Sequence, residues 1–311
     1  MELNKAAFTV DVEDGVNLGM RDLLNVTIPP TERVVKNTET ILRLLKKYDV
    51  RGTFFVLGQV AEHYPKLVKE INAGGHEIGV HGYDHYQFFR MDYDMAYDQL
   101  DRARKLLQDL TGQRVVGHRA PAFSINENTK WALELLVELG FEYDSSIMPC
   151  EGLNYGWSSF NKNITKINFK EGRSLYEIPM STDTMFGREI PCLGGSYFRL
   201  LPISFTKRSF LNVSKDRFPI FFIHPYELDE ERYPDYFFEA LKDKSLKVKA
   251  RVLFMRLNRK NVAYKLSQLL EEYDFGTMFS VLDTATGDNN ISEWEMTTSV
   301  NKIYKDVNSE H

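Results

Sequence analysis

The sequence predicts an α/β fold, a parallel sheet or barrel, from three observations. Short apolar runs alternate with helical stretches of about 10–15 residues. Chemically able side chains stand just after the apolar runs: Asp11, His81, Arg119, Asp144 and His224. In such folds the chemistry gathers at the carboxyl ends of the strands, where this pattern puts it.

The elements follow in order. Ala6 to Val10 reads as the first strand, and Asp11, Glu13 and Asp14 come off its end. Val34, Val35, Ile41, Leu42, Leu44 and Leu45 recur with a helical period. Gly52 to Leu57 is a short buried strand. Leu67, Val68 and Ile71 mark a second helix, stopped by Gly74-Gly75. The strand Glu77 to Val80 leads into His81-Gly82-Tyr83-Asp84-His85. A helix from about Asp92 to Leu110, a strand Val115 to His118, a helix Asn126 to Leu139 and a strand Phe141 to Asp144 come next.

Residues 148–215 are rich in Gly, Ser, Asn and aromatics and are expected to form a loop-rich insertion, long loops and short strands, over the barrel mouth. Phe218 to Ile223 restores a strong strand, Val262 to Tyr273 a last helix, and Thr277 to Val281 a closing strand. The expected domain is therefore 1–283, followed by a polar C-terminal extension, 284–311.

Composition narrows the class. A chain of 311 residues fits one large α/β domain, and 43% apolar with 13% aromatic residues supplies its core. A net charge of −5 with interspersed signs offers no footprint for nucleic acid. Cys150 and Cys192 form no metal-type pair and read as reduced thiols. Met1 to Lys5 carries no signal-peptide pattern, and no apolar run is long enough for a transmembrane segment. The expected location is cytoplasmic.

The acids and the H-x-x-x-H together can build a carboxylate-plus-two-His metal site with an open position for water. Two histidines at that spacing also arise by chance on a helix face, so the position of this pair after a strand is what distinguishes it. Three carboxylates within four positions repel one another unless a cation offsets them. Hydrolysis at such a site needs one carboxylate as ligand and another as base. Arg119 is a candidate cation or an ordinary surface arginine; His224 is a core histidine or a general acid.

Taken together, Thr9 to Gly15, His81 to His85, Arg119-Ala120-Pro121 and His224 resemble the motifs of the NodB-homology polysaccharide deacetylases, carbohydrate esterase family 4. Phe141 to Ser146, Gly194 to Pro202 and Phe222-Ile223-His224-Pro225-Tyr226-Glu227 look like the branch encoded with exosortase-type exopolysaccharide loci. The matching motifs run from about residue 6 to 283.

The resemblance implies a distorted (β/α)7-type barrel and one divalent metal, usually zinc, with cobalt, nickel or manganese as alternatives. It implies Asp11 as general base, His81 and His85 as ligands, His224 as general acid and Arg119 as the holder of the base. The backbone N–H of Ala122 would help form the oxyanion hole. The family's second acid is displaced here by Val12. Alternation along a strand favours Glu13 as the carboxylate ligand, with Asp14 as its rival.

The implied substrate is an N-acetylated carbohydrate, with room for peripheral contact with membrane-bound biosynthetic machinery. Two other readings keep the fold: hydrolysis of a ureide or formamide, and a catalytically silent carbohydrate-binding relative. Trp157, Tyr155 and Tyr197 are candidate sugar-stacking rings.

Overall fold

Alternation along the first strand divides the fold into layers. In the computed structural model, which describes residues 4–152 and 155–296, β1 (Ala6–Val12) is buried throughout. Ala6, Phe8, Val10 and Val12 face the helices and join the main core, while Ala7 joins a second cluster inside the sheet's curve with Phe55, Tyr143 and Phe222. Both faces of a parallel strand must be covered, so both are apolar until the strand end.

The remaining strands are β2 (Thr53–Val56), β3 (Glu77–Val80), β4 (Gly117–His118), β5 (Tyr143–Asp144), β6 (Thr165–Asn168), β7 (Ser174–Glu177), β8 (Thr182–Met185), β9 (Arg188–Pro191), β10 (Ile220–Ile223), β11 (Phe275–Gly276) and β12 (Ser292–Glu295). One ten-stranded sheet runs β10-β1-β2-β3-β4-β5-β7-β6-β12, with β11 also on β1. All its pairings are parallel except β6 with β7. The predicted α/β class is what the chain adopts.

Among the described residues no ladder joins β7 to β10. The chain around the β8–β9 hairpin spans that gap instead. Met180 N–H donates to Ile147 O (2.9 Å), Ile220 N–H to Ser181 Oγ (2.8 Å) and Phe222 N–H to Leu193 O (3.0 Å).

Three sequence expectations are corrected. Residues 148–215 are more than loops and short strands over the mouth: β6 and β7 belong to the main sheet, and Gly195–Leu200 and Ile203–Val213 are helices. Thr277–Val281 is no strand, because Thr277 Oγ1 accepts from Ser280 N–H and caps the helix Met278–Gly287. The expected extension after 283 starts within that helix, and β12 pairs with β6, packing Trp294 on Trp157 and Phe160. Its remainder, 297–311, lies outside the described residues.

Candidate active site

Five strands end at one level. Val12 pairs with Val56, Val56 with Val80, Val80 with His118, and His118 with Asp144. The ladder then runs one residue further, through His81 N–H to Val56 O, Arg119 N–H to Val80 O and Ser145 N–H to His118 O. On the other side of β1, Val10 pairs with Ile223, so His224 emerges beside Asp11.

One carboxylate oxygen organises the centre. Glu13 Oε1 lies 2.9 Å from His81 Nε2, 3.1 Å from His85 Nε2 and 4.0 Å from His224 Nε2. Burial alone would raise the Glu13 carboxyl. The charges of His85 and His224, with hydrogen bonds from His81 and His85, outweigh it and hold the group well below the usual carboxylate range.

The donor set suits a divalent cation. His81 Nδ1 faces the carbonyl of Arg119 at 2.8 Å. A carbonyl only accepts, so Nδ1 carries a proton there, which leaves Nε2 as the ring atom that faces Glu13 and would turn its lone pair to a bound cation. At 2.9 Å from Glu13 Oε1, Nε2 shares either a proton or a cation with the carboxylate. Glu13, His81 and His85 offer the one carboxylate and two imidazoles that a hydrolytic zinc-type centre uses. His85 adopts the left-handed backbone region (φ 60°), held by Arg21, whose guanidinium donates to the carbonyls of Asp84 and His85.

Asp14 is elsewhere. Its Oδ1 accepts from Val16 N–H at 2.8 Å and its Oδ2 from Thr31 N–H, so it caps the helix Gly15–Leu24. Burial raises its pKa against those hydrogen bonds. Both its oxygens face backbone donors, and the group of side chains close enough to share a cation is Glu13, His81 and His85, without Asp14.

Asp11 points inward from β1, two residues before Glu13. Its Oδ1 accepts from Arg119 Nη1 at 2.8 Å, and its Oδ2 faces His224 Nε2 at 3.8 Å. Arg119 is fully buried: it also donates to Thr9 Oγ1 (2.6 Å), Ser145 O (3.1 Å) and Ser145 Oγ (3.1 Å), and lies over the Phe55 ring. It is no surface arginine.

His224 is held from behind. Its Nδ1 donates to Glu227 Oε2 at 3.2 Å, Glu227 pairs with the buried Arg199 at 3.4 Å, and the ring stacks on Tyr226. Burial opposes protonation, but Glu13, Glu227 and Asp11 raise the imidazole to about 9. At neutral pH it carries the proton an acid needs. Arg199 and Glu227 stood in segments quoted for their resemblance, yet nothing in their spacing showed that they meet.

Ala122 is exposed on the turn Pro121–Phe123, left-handed at φ 53°, with Phe123 at φ 51°. Two such non-glycine residues in succession are an unusual local strain of about 1–3 kcal/mol each. Behind this turn, Ala120 N–H donates to Ser146 Oγ, which donates to Asp144 Oδ1; His118 Nδ1 donates to the same oxygen. Burial and the Asp144 charge push Glu177 well above its ordinary value. Sequence reasoning missed Glu177, whose place depends on β7 joining the sheet. Trp157 is packed against Phe160 and Trp294, which removes it as a free stacking ring.

Comparison with known proteins fits this geometry. Residues 27–143 match the polysaccharide deacetylase family model, and residues 145–283 match a domain of unknown function. The seam between them falls inside β5, and strands of both share one sheet, so they are parts of a single fold. Asp11 and Glu13 precede the first match and His224 lies in the second.

The chain is 37% identical over 108 residues to a peptidoglycan deacetylase of Helicobacter pylori, covering 35% of this chain and 36% of that protein. It is 39% identical over 98 residues to a peptidoglycan-N-acetylglucosamine deacetylase of Bacillus cereus, covering 31% and 36%. The chain thus spans about a third of the length of these curated relatives.

Among solved structures, a candidate polysaccharide deacetylase from Mycobacterium smegmatis superposes with a TM-score of 0.58 at 21% identity, over 96% of this chain and 99% of that one. The allantoinase PuuE gives 0.55 at 16%, over 91% and 90%. These likenesses establish the α/β fold. Over residues 27–143 this chain is thus similar to polysaccharide deacetylases, by family model and by curated relatives alike.

Proposed function

We propose that this protein is a metal-dependent hydrolase that removes acetyl from an N-acetylated sugar in a polysaccharide or its biosynthetic intermediate. The observation that carries the reading is the convergence of His81, His85 and His224 on Glu13 Oε1, with Asp11 alongside. Glu13, His81 and His85 would hold the divalent cation, zinc or one of cobalt, nickel and manganese. When bound, that cation supplies a Lewis acid that polarises the amide carbonyl and acidifies water.

The chain's own groups do the proton work. Arg119 occupies Oδ1 of Asp11 and leaves Oδ2 to accept the proton of the attacking water. His224 delivers a proton from Nε2 to the departing amine, while Glu227 fixes the ring through Nδ1. Water adds to the carbonyl carbon, the C–N bond breaks, and acetate and a free amino sugar leave. The N–H of Ala122 is assigned to the developing oxyanion.

The exopolysaccharide branch is part of the proposal. Two of its three marker segments pack on each other: Gly194 bridges to Phe222, and Arg199 reaches Glu227. A Cβ on Gly194 (φ 143°) would lie 2.1 Å from Phe222 O, so only glycine allows this approach. Among the described residues no helix is long and apolar enough to cross a membrane. We assign the protein to the cytoplasm, where the free, buried thiols of Cys150 and Cys192 are stable.

The test is a substrate panel offered to zinc-loaded protein: N-acetylglucosamine oligomers, free and lipid-linked, and a ureide. Acetate from the sugars alone supports the reading. Ureide cleavage without acetate would replace it with the other amide hydrolysis, and inertness with full metal content would replace it with carbohydrate binding.

A further inference from the structure

The helix Leu246–Arg256 carries two apolar faces, and only one is used. Val252 is buried against Val16, Met20, Tyr233 and Phe237, with Val248 packed beside it. Leu246, Ala250, Leu253 and Leu257 are spaced four, three and four residues apart, which places them on one stripe. All four are exposed, Leu246 at 83% and Leu253 at 64%, and Phe254 widens the stripe.

Charge surrounds this stripe with one sign. The helix has no acidic residue; Lys247 and Arg251 flank it on one side, and Lys249 and Arg256, half-buried and donating to the carbonyls of Lys242 and Glu231, on the other. From Lys242 to Lys260 there are eight Lys or Arg against the single Asp243, in a chain whose net charge is −5. Lys242 pairs with Glu239, and Arg259 is spent on buried contacts. Lys247 and Arg251 are exposed.

We propose that this helix docks the protein on a membrane surface that carries anionic phospholipid headgroups. An apolar stripe bordered on both sides by long cationic side chains fits a plane that is apolar beneath and negative above. The leucines enter the acyl boundary while the Lys and Arg stems lie along it with their charges in the headgroups. A second copy of the chain would bring this uniformly basic helix against itself, so charge complementarity favours lipid over self-association.

The docking face is mechanically close to the candidate active site. Arg199 donates to the carbonyls of Phe254 and Leu257 at the end of this helix and pairs with Glu227 behind His224. Val252 packs on the helix Gly15–Leu24, which starts two residues after Glu13.

Flotation of the full chain with vesicles tests this. The expected result is binding to phosphatidylcholine vesicles mixed with phosphatidylglycerol and none to phosphatidylcholine alone. Raising ionic strength should weaken it by about tenfold or more, as surface charge attraction is screened. The double variant Leu246→Ser/Leu253→Ser and the double variant Lys247→Glu/Arg251→Glu should each abolish it with circular dichroism and melting unchanged. Failure to bind anionic vesicles, equal binding to neutral ones, or full binding by either variant would overturn the proposal. So would a concentration-dependent dimer of the native chain that Leu246→Ser/Leu253→Ser abolishes.

Discussion

Arg119 Nη1 lies 2.8 Å from Asp11 Oδ1, an ion pair in which both side chains are buried. The pair joins the ends of β1 and β4 and directs the other Asp11 oxygen toward His224. Asp11→Asn should therefore keep the fold and the metal but lower turnover by about 10²–10⁴-fold, because an amide cannot take the proton. Steady-state kinetics with metal analysis checks this. Arg119→Ala differs: it strands a buried carboxylate and should destabilise the fold by about 3–5 kcal/mol in chemical denaturation.

Glu13 and Asp14 are neighbours with opposite duties. Glu13→Ala should remove most bound zinc as measured by elemental analysis, with little change in melting of the metal-free protein. Asp14→Ala should keep the metal and cost about 1 kcal/mol or more through the lost helix cap. Metal loss in Asp14→Ala alone would reverse the assignment.

Glu227 and Arg199 are positioning residues for His224. Glu227→Gln should reduce kcat on N-acetyl sugars by less than removing the acid does. It should hardly change hydrolysis of activated esters, whose leaving group needs no proton. The pH profile carries the same signature. His224 must be protonated to act, and its folded value is raised to about 9, so activity is retained below that value and lost as pH rises through it. A bound cation offsets Glu13, so in loaded enzyme the alkaline limb should sit lower than in a profile governed by the metal-free value. His224→Ala should flatten that limb.

Away from the site, burial and Arg51 lower His76 to about 4, and its Nδ1 accepts from Gly52 N–H. The folded ring stays neutral while the unfolded one protonates near its ordinary value of 6.5. The stability this supplies is full above pH 6.5 and is lost as pH falls toward 4, up to about 3 kcal/mol. Denaturation midpoints should fall across that window in the native protein and much less in His76→Gln. Equal slopes would mean the ring is not held neutral.

Much of this was legible in the sequence because the mostly apolar runs of strands β1, β3, β4 and β10 give way to polar residues at their ends. Asp11, His81, Arg119 and His224 could be placed by that transition alone. The choice between Glu13 and Asp14 could not, since it depends on Thr31 and Val16 drawing Asp14 into a cap. Arg199 and Glu227 were hidden because their meeting is long-range in sequence. The helix Leu246–Arg256 went unread because apolar residues on two faces blur the single-stripe pattern on which helix recognition rests. β12 was obscured by its polar composition, only Trp294 within it being large and apolar, with Ile291 and Met296 at its two ends.

The most direct measurement of the central claim is acetate and free amine released, side by side, by zinc-loaded native protein, Asp11→Asn and His224→Ala at matched metal content. On an N-acetylglucosamine oligomer, the native protein should release both products in equal amounts, and a chelator should stop it. Asp11→Asn should fall by at least about a hundredfold. Native-level release from Asp11→Asn, or no acetate from fully loaded native protein on any N-acetylated sugar, would contradict the account.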